Sequence, residues 1–253
     1  MAAVSGLFRH IEALQGDMPW GTVLDAGTGV NSARWVASLP TEKWTAVTGA
    51  EGHAIQVRDT VEAARRPQDR IILANWLDPD LLRGEVYDTV LADYLLGAVE
   101  GFAPYFQFRL FERLRLVTGR RLYVVGLEPY VALKPADEAG WIIGEIGRFR
   151  DACLLLVGER PYREYPAHWV VEHLDRAGFN ILSAKHFAIR YKARFVNSQI
   201  DMCAPRLAKL EDRLLAEALQ RKGERLRAGA LAMIEAEGGL SHGHDYVIAA
   251  EPK

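Results

Sequence analysis

The stretch Val23-Leu24-Asp25-Ala26-Gly27-Thr28-Gly29-Val30 decides the fold. A short apolar run from Gly21 ends on a carboxylate and a glycine turn, and Ala33 to Leu39 then read as a helix stopped before Pro40. Glycines at 27 and 29 let the backbone turn tightly and approach a ligand closely. The same alternation continues outward. Trp44 to Thr48, Arg70 to Leu73, Tyr87 to Ala92 and Leu122 to Val125 read as strands, and Ala54 to Ala64 and Pro104 to Leu116 as helices. Leu7, Ile11 and Leu14 after Ser5 predict a capped amphipathic first helix. Short apolar strands alternating with helices imply βαβ units and a parallel sheet covered on both faces. Ligands bind beyond the carboxyl ends of such strands, so the residues just after each strand carry the chemistry.

Beyond Pro129 the alternation loosens. Ala139 to Val157 predict an apolar helix, Gly158 to Pro166 a loop, Ala167 to Ala177 a helix ended by Gly178, and Ile181 to Tyr191 a strand. Pro205 to Glu237 read as helical with a break near Gly223, and Tyr246 to Ala250 as a final strand. No repeat or low-complexity linker interrupts the chain, so residues 1–253 are expected to form one domain with a helical, substrate-binding insertion at about 129–166.

Composition bounds the function. The 253 residues are 49% hydrophobic and 25% charged, which excludes a disordered or disulfide-stapled chain. Lys and Arg total 31 against 33 for Asp and Glu, giving a net charge of -2 and no basic excess of the kind that holds nucleic acid. Cys153 and Cys203 form no C-x-x-C pair and supply no zinc site by themselves. Met1 to Met18 carry Arg9, His10 and Glu12 within their apolar pattern, unlike a signal peptide. No apolar run reaches the roughly 18 residues of a membrane span. A cytoplasmic protein in a reducing compartment is expected.

As a dinucleotide fingerprint, G-x-G-x-x-G, the turn fails: Ser32 stands at the third glycine position, and Asp25 would face a pyrophosphate with like charge. A cationic ligand suits it better. The hydrophobic-D-x-G-x-G pattern resembles the first motif of class I S-adenosylmethionine-dependent methyltransferases. That resemblance implies a Rossmann-like, seven-stranded, mostly parallel sheet with helices on both faces and an antiparallel last strand. It also implies S-adenosyl-L-methionine as cofactor and S-adenosyl-L-homocysteine as product. Asp25, Gly27, Thr28 and Gly29 would then hold the methionine moiety. Glu51, after the second strand, would accept from both ribose hydroxyls, although nicotinamide-binding folds place an acid similarly. Asn75 would read the adenine edge, and Trp76 would either stack on adenine or belong to the core. The likeness extends over residues 21 to 127 and includes the Tyr87-Asp88 pair that opens the fourth strand. Asp93-Tyr94-Leu95-Leu96 lacks the prolines of [DN]-P-P-[FY], which argues against nucleobase amines and glutamine amides as acceptors.

Methyl transfer from a sulfonium is an in-line displacement, with the nucleophile held about 3 Å from the methyl carbon and often relieved of a proton. Candidate catalytic groups are Asp93, Tyr94 and His10, with Glu128 after the fifth strand; Asp93 also belongs to the cofactor set. Tyr105, Arg160, Tyr162, Arg163 and Arg190 are substrate candidates, mixing aromatics with cations that suit an anionic or aromatic small-molecule acceptor. Phe102 and Phe106 are further candidates for an apolar pocket. His168 and His173 lie five apart and make poor joint ligands, and no metal site is expected. Three alternatives stand beside a small-molecule methyltransferase: a catalytically silent interaction module of the same fold, a protein methyltransferase, and aminopropyl transfer, which the basic loops disfavour. A monomer or homodimer without nucleic-acid or membrane partners is expected.

Overall fold

The computed structural model describes residues 5–253. Residues 1–4, part of the segment considered for a leader, lie outside the described residues. In chain order the elements are α1 (Gly6–Gln15), β1 (Thr22–Asp25), α2 (Val30–Ser38), β2 (Lys43–Thr48), α3 (Glu51–Val61), β3 (Arg70–Leu73), β4 (Tyr87–Asp93), α4 (Leu95–Ala98), α5 (Gln107–Val117), β5 (Thr118–Leu127), α6 (Glu138–Leu156), α7 (Ala167–Arg176), β6 (Phe179–Tyr191), α8 (Ala193–Asp201), α9 (Ala204–Leu207), α10 (Arg213–Glu237) and β7 (Leu240–Pro252). A 3-10 turn, Val99–Gly101, follows α4.

The seven strands form one sheet in the order β3-β2-β1-β4-β5-β7-β6. β1 pairs in parallel with β2 and β4, β2 with β3, and β4 with β5. β7 runs antiparallel, and at its end the Lys253 amide donates to the Gly178 carbonyl just before β6, at 2.9 Å. This is the expected architecture. β1 is central because its neighbours cover both edges, and Val23 and Leu24 are accordingly buried.

Two compact units divide the chain. The first comprises the described residues up to Leu127, with Arg163–His186 and Tyr246–Lys253. The second comprises Glu128–Tyr162 and Phe187–Asp245. The helical part therefore draws on two segments, where the sequence suggests one insertion at 129–166. Residues 163–166 belong to the first unit, where the Arg163 amide donates to the Gly97 carbonyl at 3.2 Å.

Three local differences from the sequence expectation have physical causes. α2 begins at Val30, three residues early, because the Ser32 hydroxyl accepts the Gly29 amide at 3.0 Å and caps the helix. α10 runs unbroken through Gly223, and the break falls at residues 208–212, where Asp212 accepts the Leu215 amide at 3.0 Å. Gly223 serves packing: a β-carbon there would lie 2.9 Å from the Phe149 ring of α6. α8 is a helix that the sequence does not announce, since only Val196 and Ile200 are buried in it.

Candidate functional site

The turn after β1 is fixed from both sides. The Ala26 amide donates to Leu91 of β4 and the Thr28 amide to Val47 of β2, each at 2.8 Å. Below it, the Trp76 indole donates to the Ala26 carbonyl at 2.7 Å. Trp76 is 4% exposed and belongs to the hydrophobic core, so it braces the turn and offers no open face for stacking. Of the two alternatives for this residue, the core is the one found.

The two glycines of the turn are needed for different reasons. A β-carbon on Gly27 would lie 2.8 Å from Leu95 of α4, so its absence lets the turn pack against the helix after β4. A β-carbon on Gly29 would meet nothing within 4 Å. Gly29 caps α2, whose first amides have no intrahelical partner, and it leaves room for a ligand to reach them. Ser32, at the position of the missing third glycine, is fully buried and supplies the cap.

Asp25 is the electrostatic centre of the turn. Its side chain is 0% exposed, and neither carboxylate oxygen has a partner in hydrogen-bonding geometry. Burial raises its pKa from 3.8 to about 6. The Thr28 and Ser32 hydroxyls and the Gly27 amide lie near enough to oppose that shift but do not overcome it. Both hydroxyls donate instead to the Gly29 carbonyl, at 3.4 and 3.2 Å. A sealed, unsatisfied carboxylate is costly unless a positive charge or a proton meets it.

Beyond β2, Glu51 opens α3 with an exposed side chain, where an acid also complements the helix dipole. Beyond β3, Asn75 is committed at both ends. Its Oδ1 accepts the Leu77 amide at 2.9 Å, and its Nδ2 donates to the Phe102 carbonyl at 2.7 Å. That second bond seats the Phe102 ring on Gly49, where a β-carbon would lie 2.9 Å from it. Phe102 thus stands at the ends of β2 and β3, a position that its place in the chain after β4 does not disclose.

Beyond β4, half-buried Asp93 is followed by Tyr94, whose φ of 49° is left-handed and uncommon for a residue with a β-carbon. The Tyr94 amide donates to Val125 of β5 at 2.9 Å. A second left-handed tyrosine, Tyr105, closes the same segment with φ 67° and 63% exposure. Its amide donates at 3.3 Å to Glu100, a buried carboxylate that also accepts Gln107 Nε2 at 2.9 Å. The Arg163 guanidinium lies 5.9 Å from the centre of the Tyr105 ring. Beside it, the Glu164 carboxylate occupies the space a side chain at Gly97 would need. Glu100 and Glu164 are not apparent from the sequence; the isolated Gly97 inside an apolar run is the only trace of the close approach.

The remaining candidates separate. Tyr105 and Arg163 meet, whereas Arg160 and Tyr162 belong to the second unit. Arg190 is engaged at the end of α10: its Nη2 donates to the Glu237 carbonyl and its Nε to Gly238 at 3.5 Å, beside Lys192, which also bonds Gly238. Its site is a helix terminus, where a cation offsets the dipole. His10 is half-buried on α1, and burial, then the Lys185 charge, lowers its pKa below the ordinary 6.5. Glu128 opens the second unit, its amide donating to the His244 carbonyl at 2.9 Å. Among the described residues no three His, Cys, Asp or Glu side chains gather as metal ligands, and no helix is long and apolar enough to cross a membrane.

No protein-family model matches the chain, and no curated protein matches it in sequence. Solved structures do match. A provisionally named methyltransferase from Bacillus halodurans C-125 aligns with TM-score 0.60 at 12% identity, over 98% of this chain and 99% of that one. The fold is that of the class I methyltransferases. Coclaurine N-methyltransferase, bound to N-methylheliamine and S-adenosylhomocysteine, aligns at 0.52 with 16% identity, over 97% and 71% of the two chains. The [4+2]-cyclase SpnF aligns at 0.56 with 15% identity, over 97% and 79%. The likeness is one of fold, and the residues at the strand ends carry what is particular to this chain.

Proposed function

We propose that the chain is a methyltransferase that uses S-adenosyl-L-methionine and delivers the methyl group to an oxygen or nitrogen of a small-molecule acceptor. The carrying observation is Asp25, a sealed carboxylate with no partner, beneath a glycine turn that leaves the open approach at Gly29. A ligand bearing an ammonium and a sulfonium meets that demand, and an anionic pyrophosphate does not. The cofactor supplies an electrophilic methyl group. Around it, the first amides of α2 would meet its carboxylate, Glu51 its ribose hydroxyls, and Phe102 with the free Nδ2 proton of Asn75 its adenine.

Asp93, at the end of β4 next to β1, and Tyr94, which follows it, would serve the acceptor side. Asp93 would bind the cofactor's amino group or take the acceptor's proton. His10, whose pKa is lowered by burial and then by the Lys185 charge, would be a second proton acceptor. Tyr105 and Arg163 would orient an aromatic or anionic acceptor. The coclaurine N-methyltransferase likeness supports a small-molecule acceptor.

The test is transfer of a radiolabelled methyl group from S-adenosylmethionine into a metabolite extract, followed by separation of small molecules from protein. Label in the small-molecule fraction is expected. Label confined to protein would favour a protein methyltransferase, and cofactor binding without transfer would favour a silent binding module.

A further inference from the structure

The second unit contains two thiols that methyl transfer does not use. Cys153 lies on α6 and Cys203 at the turn between α8 and α9, each no more than 1% exposed. Polar contacts bracket them. Before the pair, Arg150 donates to Gln199 Oε1 at 2.9 Å; after it, Arg206 bonds Glu159 at 2.6 Å. The two segments are thus held side by side on both flanks of the sulfurs. The thiols lie near enough for each to perturb the other, and Cys203 Sγ donates to the Gln199 carbonyl at 3.2 Å.

We propose that Cys153 and Cys203 form a modification site that closes to an intramolecular disulfide under a peroxide-class oxidant. The neighbouring Cys153 thiol, then the Arg206 and Arg150 charges, lower the pKa of Cys203, while the Cys203 sulfur and burial raise that of Cys153. Cys203 is therefore the attacking thiolate and Cys153 the resolving thiol. The Cys203 thiolate displaces hydroxide from the peroxide and becomes a sulfenic acid. Cys153 sulfur then attacks that sulfur, loses its proton, and expels a second hydroxide. Two thiols and one hydrogen peroxide give one disulfide and two waters. The bond closes a loop of about 50 residues and so restricts the unfolded chain.

Full-length protein would be treated with hydrogen peroxide, quenched with catalase, unfolded in guanidinium and titrated for thiols, with intact mass and a non-reducing peptide map. Both thiols should disappear together, the mass should fall by two hydrogens, and one peptide should link Cys153 to Cys203. Dithiothreitol should restore the thiols, and the oxidised protein should melt several degrees above the reduced one. In Cys153→Ser, Cys203 should gain oxygen; in Cys203→Ser, Cys153 should stay reduced at the same dose. Thiols that persist in the unmutated protein, a mass that gains oxygen, or a link only between chains would overturn the proposal. The mass and peptide map of the unmutated protein decide the matter even if a serine variant fails to fold.

Discussion

The turn after β1 and the end of α10 both set a charged side chain beside polar backbone groups, and they resolve it in opposite ways. At α10, Arg190 and Lys192 reach the Glu237 and Gly238 carbonyls that the helix leaves unbonded. The cations and carbonyls satisfy one another, and the arrangement is complete. At β1, the Asp25 carboxylate is enclosed without a bonded partner, while nearby hydroxyls turn their protons to Gly29. A charge that the chain satisfies serves stability; one that it encloses and leaves unsatisfied points to a ligand. Arg190, a substrate candidate by its composition, falls on the first side of this division, and Asp25 on the second.

Four substitutions can break or sharpen the contrast. Gly27→Val has the largest expected effect, because its β-carbon would overlap Leu95 and displace the turn. S-adenosylhomocysteine affinity, read by calorimetry, should fall by more than about 100-fold, with a stability loss of about 1–3 kcal/mol from overpacking. Unchanged affinity would mean that the turn does not form the cofactor site.

Asp25→Asn tests the enclosed charge. The folded pKa of about 6 lies above the ordinary 3.8, so the folded state favours the protonated form. That contribution is fully present below the ordinary pKa and is lost as pH rises through the folded one. The variant should therefore match the parent in acid and exceed it in stability by about 3 kcal/mol above neutrality. Denaturant titrations across the pH range would show the difference opening between the two pKa values. The same variant should bind S-adenosylhomocysteine more weakly, so that stability rises as function falls. A pH-independent difference would place Asp25 among the satisfied charges.

Glu51→Gln keeps the shape and removes the charge at an exposed position. Affinity should drop by roughly 10-fold, in line with the loss of charged hydrogen bonds to ribose, with stability nearly unchanged. The smallest effect is expected for Arg190→Ala, which should destabilise the protein by less than about 1 kcal/mol and leave acceptor turnover intact. A selective rise in acceptor KM would return Arg190 to the substrate site.

The first five strands are legible in the sequence because a central parallel sheet demands uninterrupted apolar runs, and Val23, Val47 and Val90 announce them. Asp25 and the glycines are legible as a motif, although the packing of Gly27 on Leu95 is not. What the sequence conceals depends on long-range approach. Phe102 reads as part of a pocket after β4, yet Gly49 and Asn75 draw it to the ends of β2 and β3. Glu100 carries no sequence signal for burial, and the fold sets it against Gln107. Gly223 reads as a helix breaker because local propensity disfavours it, whereas contact with Phe149 requires it.

The most direct test of the central claim is calorimetric titration of the unmodified protein with S-adenosylhomocysteine and, separately, with NADH. Saturable one-to-one binding of S-adenosylhomocysteine, lost in Gly27→Val and weakened in Asp25→Asn, with no NADH binding, is the predicted result. Tight NADH binding without S-adenosylhomocysteine binding would contradict it.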